Sequence, residues 1–401
     1  MNAVLTRGIT LLLAATCAMA VATVYFAQPL LESIAADLGV PQARIGWVVG
    51  ATQAGYALGL ILIVPLGDLF DRKRLVLGQL LVAALALAAV GLAQTWALML
   101  AALAVVGLMA VMVQVMVAHA AILASPARQG QAVGTVTSGI VLGILLARLV
   151  SGALADVAGW RSVYFVAAGL LLLMAVVLCL CLPAGRRPQH RSGYLALIGS
   201  LFRLYHQDRL LRRRGLFGLL IFAAFSVLWS SMVLPLGAAP LALSHSEIGL
   251  FGLAGIAGTL AASRAGRLAD QGLGERSTGL ALALLTLSWL PTAFVGQSLM
   301  VFTLGVLMLD FAVQAVHVTN QSLLLAGRGE LASRLIGAYM CSYAIGSGLG
   351  AVLASWVYAR WGWGAVCALG MSFSALALGY WLWLQTERAA SAALSRSGQN
   401  L

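Results

Sequence analysis

Long apolar runs fill most of this 401-residue chain. A helix of about 20 apolar residues crosses the ~30 Å hydrocarbon core of a bilayer, and these runs have about that length. Hydrophobic residues make up 62% of the chain and charged residues only 9%, unlike a soluble domain. We therefore predict an all-α membrane protein with twelve transmembrane helices. The apolar runs span about 8–30, 44–66, 75–95, 97–123, 132–154, 162–182, 216–237, 247–268, 277–296, 299–325, 335–357 and 364–384.

The second half of the chain repeats features of the first half. Four residues recur 203 positions later in the sequence, and a polar segment separates the two copies. Duplicated membrane-embedded halves are typical of secondary transporters. The repeat predicts an N-terminal six-helix bundle (1–182), a central loop (183–215), a C-terminal six-helix bundle (216–385) and a tail (386–401). The repeated residues are Gly134, Gly143, Gly159 and Trp160, matched by Gly337, Gly346, Gly362 and Trp363.

Basic residues are concentrated at one end of the predicted helices. The formal net charge is +12, and most arginines fall in the segments that share a side with both termini. Such a bias marks the cytoplasmic side of membrane proteins, so we predict that both termini are cytoplasmic. This distribution explains the charge without nucleic-acid binding. In the central loop, apolar residues from Leu195 to Phe202 recur at helical spacing, which indicates either an amphipathic helix on the inner leaflet or a solvated linker.

The loop between the second and third runs has a recognisable pattern. Gly67-x-Leu69-x-Asp71-Arg72 resembles the cytoplasmic signature of the major facilitator superfamily, and the segment from Gly266 to Asp270 resembles its second-half copy. The resemblance covers the whole chain and implies two pseudo-symmetric six-helix bundles. In that family the motif is a latch that favours the outward-facing state. It implies latch roles for Gly67, Asp71, Arg72, Gly266 and Asp270; the alternative is a topology signal with ordinary surface charges.

The fifth run carries a second resemblance. Its glycine-rich segment is similar to the span-5 motif of the family's antiporters, but Arg148 stands where those proteins usually have proline. Small residues four apart allow close helix packing, and the eleventh run repeats them. A guanidinium at this depth either lines a wet cavity, where it engages substrate or a carboxylate, or snorkels outward. The predicted packing residues are Gly143, Ala147, Gly152, Gly346 and Gly350.

The tenth run carries a polar stripe. Asp310, Gln314, His317 and Gln321 are spaced by four, three and four residues, so they share one face of a helix. Such a face avoids lipid and should line a central cavity. We predict that Asp310 couples transport to protons with assistance from His317. The alternative is a hydrogen-bonded polar pair between helices that does not titrate.

Further polar and aromatic residues of the apolar runs are candidates for the substrate cavity. For each of them, ordinary packing in the helix bundle is the alternative interpretation. The predicted cavity residues are Tyr25, Gln28, Gln114, Arg148, Trp229, Gln314, Gln321, Tyr339 and Tyr343.

The sequence argues against an enzyme. Its only lysine, Lys73, follows no glycine-rich phosphate loop, and we expect neither a cofactor nor a metal. We predict a secondary transporter that moves a small molecule by alternating access, with proton-coupled export favoured by the resemblance to the drug and metabolite efflux branch. A proton symporter or facilitator that imports a metabolite and a non-transporting membrane sensor are the alternatives. The expected partners are a small-molecule substrate, protons and the lipid bilayer of a bacterial inner membrane. We expect the protein to be a monomer.

Overall fold

A computed structural model describes residues 6–123, 129–182, 193–328 and 331–397, and this part of the chain is helical. It confirms the all-α prediction. The helix of the central loop is numbered with the others in chain order, so the six helices after it correspond to the seventh to twelfth apolar runs. The helices are α1 (Arg7–Tyr25, continued by Leu31–Asp37), α2 (Trp47–Leu62), α3 (Arg72–Leu92), α4 (Trp96–Ala110 and Met112–Leu123), α5 (Gln129–Ala158), α6 (Trp160–Cys181), α7 (Tyr194–Gln207), α8 (Arg209–Ser231), α9 (His245–Leu250 and Gly255–Asp270), α10 (Gly274–Leu287 and Trp289–Thr292), α11 (Leu299–Leu325), and the run Ala332–Ser397, which Gly362 divides into α12 (332–361) and α13 (363–397).

Ten helical regions in the described ranges are long and apolar enough to span a membrane, and one of them holds both α12 and α13. The ninth predicted span, α10, is instead broken near Ser288. Pro291 lies just beyond the break, and because proline has no N–H it cannot bond the carbonyl four residues earlier. The twelve-span pattern therefore holds, with α10 as an interrupted helix.

The two halves repeat the same sharp turn. Gly159 and Gly362 both adopt a left-handed backbone, with φ of 77° and 72°, directly before Trp160 and Trp363. Only glycine adopts this conformation without a steric penalty, which explains why both copies keep glycine here.

Glycines also set the same helix contact in each half. A Cβ added at Gly143 would lie 2.3 Å from the Ala18 carbonyl oxygen, and one added at Gly346 would lie 2.0 Å from that of Leu219. Helix α5 thus packs directly on the backbone of α1, and α12 packs in the same way on α8. Gly350 continues the second contact against Ala223. Close approach of backbones through small residues is a recurrent way to pack membrane helices.

The halves contact each other at one end of the bundle, here called the junction end (residues 28–50, 148–160, 232–252 and 348–363). There a Cβ on Gly46, which directly precedes α2, would lie 2.1 Å from the Ala351 carbonyl oxygen of α12. On the other side, one on Gly152 of α5 would lie 2.2 Å from the His245 carbonyl oxygen of α9. The halves are therefore joined by two glycine-mediated crossings.

The opposite end, here called the basic end, carries the duplicated loops and α7. The Tyr194 hydroxyl donates to the Leu62 carbonyl oxygen at 2.8 Å in the N-terminal half, and the Tyr205 hydroxyl lies 3.3 Å from Ser342 Oγ in the C-terminal half. Leu195 and Phe202 are exposed, at 79% and 60% of their surface. Helix α7 is thus an amphipathic helix bonded to both halves; residues 183–192 before it lie outside the described ranges.

Candidate functional site

Arg148 of α5 is buried at the interface between the halves. Only 2% of its surface is exposed. Its Nε donates to Gln28 Oε1 at 2.6 Å, and its guanidinium carbon lies 3.6 Å from the centre of a Trp229 ring. This stacking is a cation–π contact in a desolvated place. Arg148 therefore points into the protein and does not snorkel outward.

Asp310 of α11 reaches the same tryptophan from another side. It is 3% exposed, and its Oδ1 accepts a hydrogen bond from Trp229 Nε1 at 3.0 Å. Its charge also interacts with that of Arg148. No counter-ion for Arg148 could be named from the sequence; in the fold its charge interacts with that of Asp310, and both side chains contact Trp229. We call Gln28, Arg148, Trp229 and Asp310 the central cluster; its first two residues belong to the N-terminal half and the others to the C-terminal half.

Gly249 of α9 and Gly252, in the turn between the two segments of α9, allow this arrangement. A Cβ on Gly249 would lie 2.6 Å from the Arg148 carbonyl oxygen, and one on Gly252 would lie 3.2 Å from Arg148 Cβ. Helices α5 and α9 therefore cross closely where the guanidinium leaves the α5 backbone.

An aromatic layer separates the central cluster from the basic end. The Tyr25 and Tyr343 hydroxyls lie 2.7 Å apart across the two halves, and the Phe222 and Tyr343 ring centres are 4.2 Å apart. The Tyr25 and Phe225 rings also lie 5.1 and 5.7 Å from the Arg148 guanidinium. These four aromatic residues enclose the charged pair.

The structure separates Asp310 from His317. The His317 Nδ1 lies 3.0 Å from the Tyr339 hydroxyl, and its Nε2 lies 3.1 Å from Gln321 Nε2. Seven helical residues correspond to a rise of about 10 Å. His317 and Asp310 thus have different hydrogen-bond partners, although both lie on the predicted polar face of α11.

The other predicted cavity residues differ in exposure. Gln114, Gln314 and Gln321 are partly exposed. A Cβ added at Gly258 would lie 2.8 Å from Gln314 Cγ, so these two residues pack closely. Gln114 lies beside the Tyr56 hydroxyl. Tyr339 is fully buried and packs its ring on Gly218. In this conformation, therefore, Tyr339 is part of the packed interior, and its hydroxyl contacts His317.

The described hydrogen bonds of Asp71 and Arg72, two of the predicted latch residues, lie within their own half. The Asp71 carboxylate accepts from the backbone N–H groups of Lys73 at 2.8 Å and Arg74 at 3.3 Å, which caps α3. Arg72 Nε donates to the Gly67 carbonyl oxygen at 3.0 Å. In the second copy Gly266 lies on α9 near Val318, and α9 ends at Asp270, whose side chain lies outside the described part of the structure.

A polar contact at the junction end was missed by the sequence reasoning. The Asp156 carboxylate at the end of α5 accepts from the backbone N–H groups of His245 at 3.1 Å and Ser246 at 2.8 Å, so it caps α9 of the other half. His245 Nδ1 also lies 2.7 Å from Asp156, and its Nε2 lies 2.6 Å from Ser33 Oγ. The one local signal was the Ser244-x-x-Glu247 capping box, which marks the α9 start.

A small cavity of ≈ 10 Å³ lies against the central cluster on its junction side. Arg148 Nη2 is buried and has no hydrogen-bond partner among the described residues. The described residues hold no group of three or more His, Cys, Asp or Glu that could bind a metal. The cavity is lined by Gln28, Pro29, Arg148, Trp229, Met232, Val233 and Ile248.

Comparisons with known proteins agree with this architecture. The sequence model of the Major Facilitator Superfamily matches residues 11–339. The chain is 41% identical over 380 residues to the uncharacterized transporter YgaY of Escherichia coli O157:H7, covering 95% of this chain and 96% of that protein. It is 32% identical over 364 residues to the "Probable transporter SCO4007" of Streptomyces coelicolor, covering 89% and 83%. A solved bacterial homologue of the human lysosomal transporter Spinster, in an inward-facing and unoccupied conformation, matches with a TM-score of 0.78 and 16% identity over 94% of this chain and 96% of that one.

Proposed function

The chain belongs to the Major Facilitator Superfamily, and on that premise we propose that it couples solute movement to protons through the central cluster. The proteins of this family are membrane transporters, so the chain is a multi-pass membrane transporter and not an enzyme. The solute is a small molecule, and it moves by alternating access between the two halves.

The observation that carries the proton coupling is the shared tryptophan. Arg148 stacks on the Trp229 ring, while Asp310 accepts its N–H. The charged and titratable groups that face Asp310 are Arg148 and the Tyr25 hydroxyl, and His317 lies two turns away on the same helix. A charge inside a membrane must be paired, hydrated or neutralised. Protonation of Asp310 would change the net charge of the cluster and so couple proton uptake to solute binding.

The two ends support a conformational assignment. If the basic end faces the cytoplasm of a bacterial cell, the contacts of the junction end close the outer side, as in an inward-facing state. The positive-inside bias supports this orientation, with both termini cytoplasmic. We assign residues 1–182 and 216–385 to the two rocking bundles and 183–215 to the loop that carries α7. Asp71 and Arg72, which now bond within their own half, would latch the basic end in the opposite state.

Two directions of coupling are compatible with this site. Export in exchange for protons is supported by the resemblance of the fifth helix to antiporters. Cotransport with protons is supported by Arg148, which replaces the proline of that motif and has Asp310 as its charge partner. Of these two directions we propose cotransport, because the charge interaction of Arg148 with Asp310 belongs to this site itself.

The test uses a solute found by screening. Purified protein is heated with members of a metabolite and antibiotic library, and a compound that raises the melting temperature is radiolabelled for flux into proteoliposomes. We expect a pH gradient to drive accumulation by the wild type. Asp310→Asn should abolish gradient-driven accumulation and retain counterflow, because exchange needs no net proton movement.

His317→Gln is the matched comparison on the same helix face. If Asp310 alone is the coupling site, His317→Gln keeps gradient-driven accumulation, whereas loss of accumulation in both variants would assign His317 the assisting role. Unchanged proton dependence in Asp310→Asn would reject the proposal. Binding of hits without any flux would indicate a sensor.

A further inference from the structure

Arg148 has a donor that the protein leaves unused. A guanidinium presents five N–H groups in a fixed fork. Its Nε donates to Gln28 Oε1, and Trp229 covers one face of the group. The Nη2 atom is buried and has no hydrogen-bond partner among the described residues. A buried N–H of a charged group costs free energy when it is unpaired, so the position favours an acceptor from outside the chain.

In this conformation the adjoining cavity admits one water-sized group, such as a single oxygen of an acid group. Its ≈ 10 Å³ is about the room that one water-sized group needs. Gln28, Arg148 and Trp229 supply its polar side, whereas Met232, Val233 and Ile248 make the remainder apolar. Because apolar walls strengthen a charge interaction, an acceptor with negative charge would bind Arg148 more strongly than a neutral one.

Asp310 does not fill this role itself. Its carboxylate accepts from Trp229 Nε1 at the edge of the ring, whereas Arg148 covers a face of the same ring. With Asp310 ionised, the two charges of the cluster sum to zero. An added anion would leave one net negative charge within the membrane, which is unfavourable. A proton on Asp310 would restore neutrality.

We infer that the solute is a small organic anion, whose carboxylate or sulfonate group binds Arg148 and enters together with one proton on Asp310. The inference rests on the proposed function and adds the chemical class of the solute. A cationic solute would be repelled by Arg148. A zwitterion would bind both charges without a proton, and the experiment distinguishes it.

The probes are sulfonates, which stay ionised at every pH used. Methanesulfonate, ethanesulfonate and benzenesulfonate are compared with ethanesulfonamide, ethylammonium and taurine, at constant ionic strength set with sodium chloride. Binding to the purified full-length chain is measured by thermal unfolding and isothermal titration calorimetry from pH 6 to pH 8. We expect at least one sulfonate to bind, and ethanesulfonamide and ethylammonium to give no shift. Affinity should fall by up to about tenfold per pH unit as Asp310 ionises, because one proton is taken up with the anion.

Four variants assign the effect to residues. Arg148→Gln should lose sulfonate binding, and Arg148→Lys, which keeps the charge, should bind more weakly than the wild type. Asp310→Asn should bind the sulfonate with no dependence on pH. Arg44→Gln removes an exposed arginine at the junction end, away from the cluster, and should bind as the wild type does.

Three results would overturn the inference. They are the absence of binding by every sulfonate, wild-type binding by Arg148→Gln, and pH-independent binding of taurine alone. If sulfonate binding to Asp310→Asn still depended on pH, the proton taken up with the anion would not be the one assigned to Asp310. Sulfonate binding without flux in proteoliposomes would instead reject the transport proposal and leave the anion site standing. Gradient-driven flux of a library compound without sulfonate binding would reject the anion site and leave the transport proposal standing.

Discussion

The junction end and the basic end hold the same two bundles by different kinds of contact. At the junction end, hydrogen bonds cross from one half to the other, as from His245 and Ser246 to Asp156. At the basic end, the described bonds of Asp71 cap its own helix, and Lys73 donates to the Cys179 carbonyl oxygen of the same half. A bond within one half survives a rocking motion, whereas a bond between halves must break. The junction end is therefore the end that is closed in this structure, and under the proposed alternating access its contacts would favour this state.

The largest effect is expected from a side chain placed in the junction. In Gly46→Leu the added Cβ would lie 2.1 Å from the Ala351 carbonyl oxygen if nothing moved. The halves therefore cannot close there. Overpacking a tight contact costs up to about 3 kcal/mol, and we expect transport to be lost. Spin labels at Arg44 and Arg360, with native cysteines replaced, should report a longer distance across the junction.

Gly78→Leu is the control, because nothing lies within 4 Å of a Cβ at Gly78. It should leave both transport and the label distance unchanged. A short, wild-type distance in Gly46→Leu would show that the junction accommodates the side chain and that the closed end is defined elsewhere.

The next effect concerns the first copy of the repeated loop. Asp71→Ala should reduce transport by about tenfold or more and leave membrane insertion intact, since it removes both the α3 cap and the proposed latch. Loss of an N-cap alone costs about 1 kcal/mol. Asp71→Ser keeps a capping oxygen but not the charge, so it should also transport poorly. Flux measured with the screened solute checks both variants; full activity in Asp71→Ser would reduce the role of Asp71 to helix capping.

A smaller effect is expected from the Asp156 contact at the junction end. Asp156→Ala removes the carboxylate that caps α9 across the halves, and hydrogen bonds to a charged group contribute about 1.5–3 kcal/mol. Because the Asp156 side chain is partly exposed, we expect the ratio of junction-closed to junction-open molecules to fall about tenfold, the lower end of that range. The same label distance measures it. Asp37→Ala is the matched control, because Asp37 accepts from Trp160 within one half. An equal shift in both variants would contradict the distinction between bonds that cross the halves and bonds within one half.

The smallest effect is expected in the aromatic layer. Tyr343→Phe removes one hydroxyl of the Tyr25–Tyr343 bond between halves, which contributes about 1 kcal/mol. The ratio of junction-closed to junction-open molecules should fall about fivefold. Tyr164→Phe serves as the control, since the buried Tyr164 hydroxyl has no hydrogen-bond partner among the described residues. No change in Tyr343→Phe would mean that this hydroxyl pair does not contribute to closure.

Part of the site could be predicted from sequence because its signal is local. The spacing of Asp310, Gln314 and His317 placed them on one helix face, and the unusual Arg148 stood out against an apolar run. The same spacing could not assign partners. Residues on one face lie at different depths, so Asp310 reached Trp229, whereas His317 reached Tyr339. The Asp156 cap was missed because its partner lies 89 residues away in the other half.

The sequence by itself determined the membrane class, the duplication and the charge asymmetry. Each of these depends on sums or repeats along the chain, such as apolar length, the 203-residue register of Gly159 and Gly362, and the count of arginines in loops. The tertiary structure alone decided which charges meet. Arg148 and Gln28 are 120 residues apart, and Trp229 and Asp310 are 81 apart. Only the docking of one bundle against the other, through glycines that let backbones touch, brings these four side chains into one desolvated place.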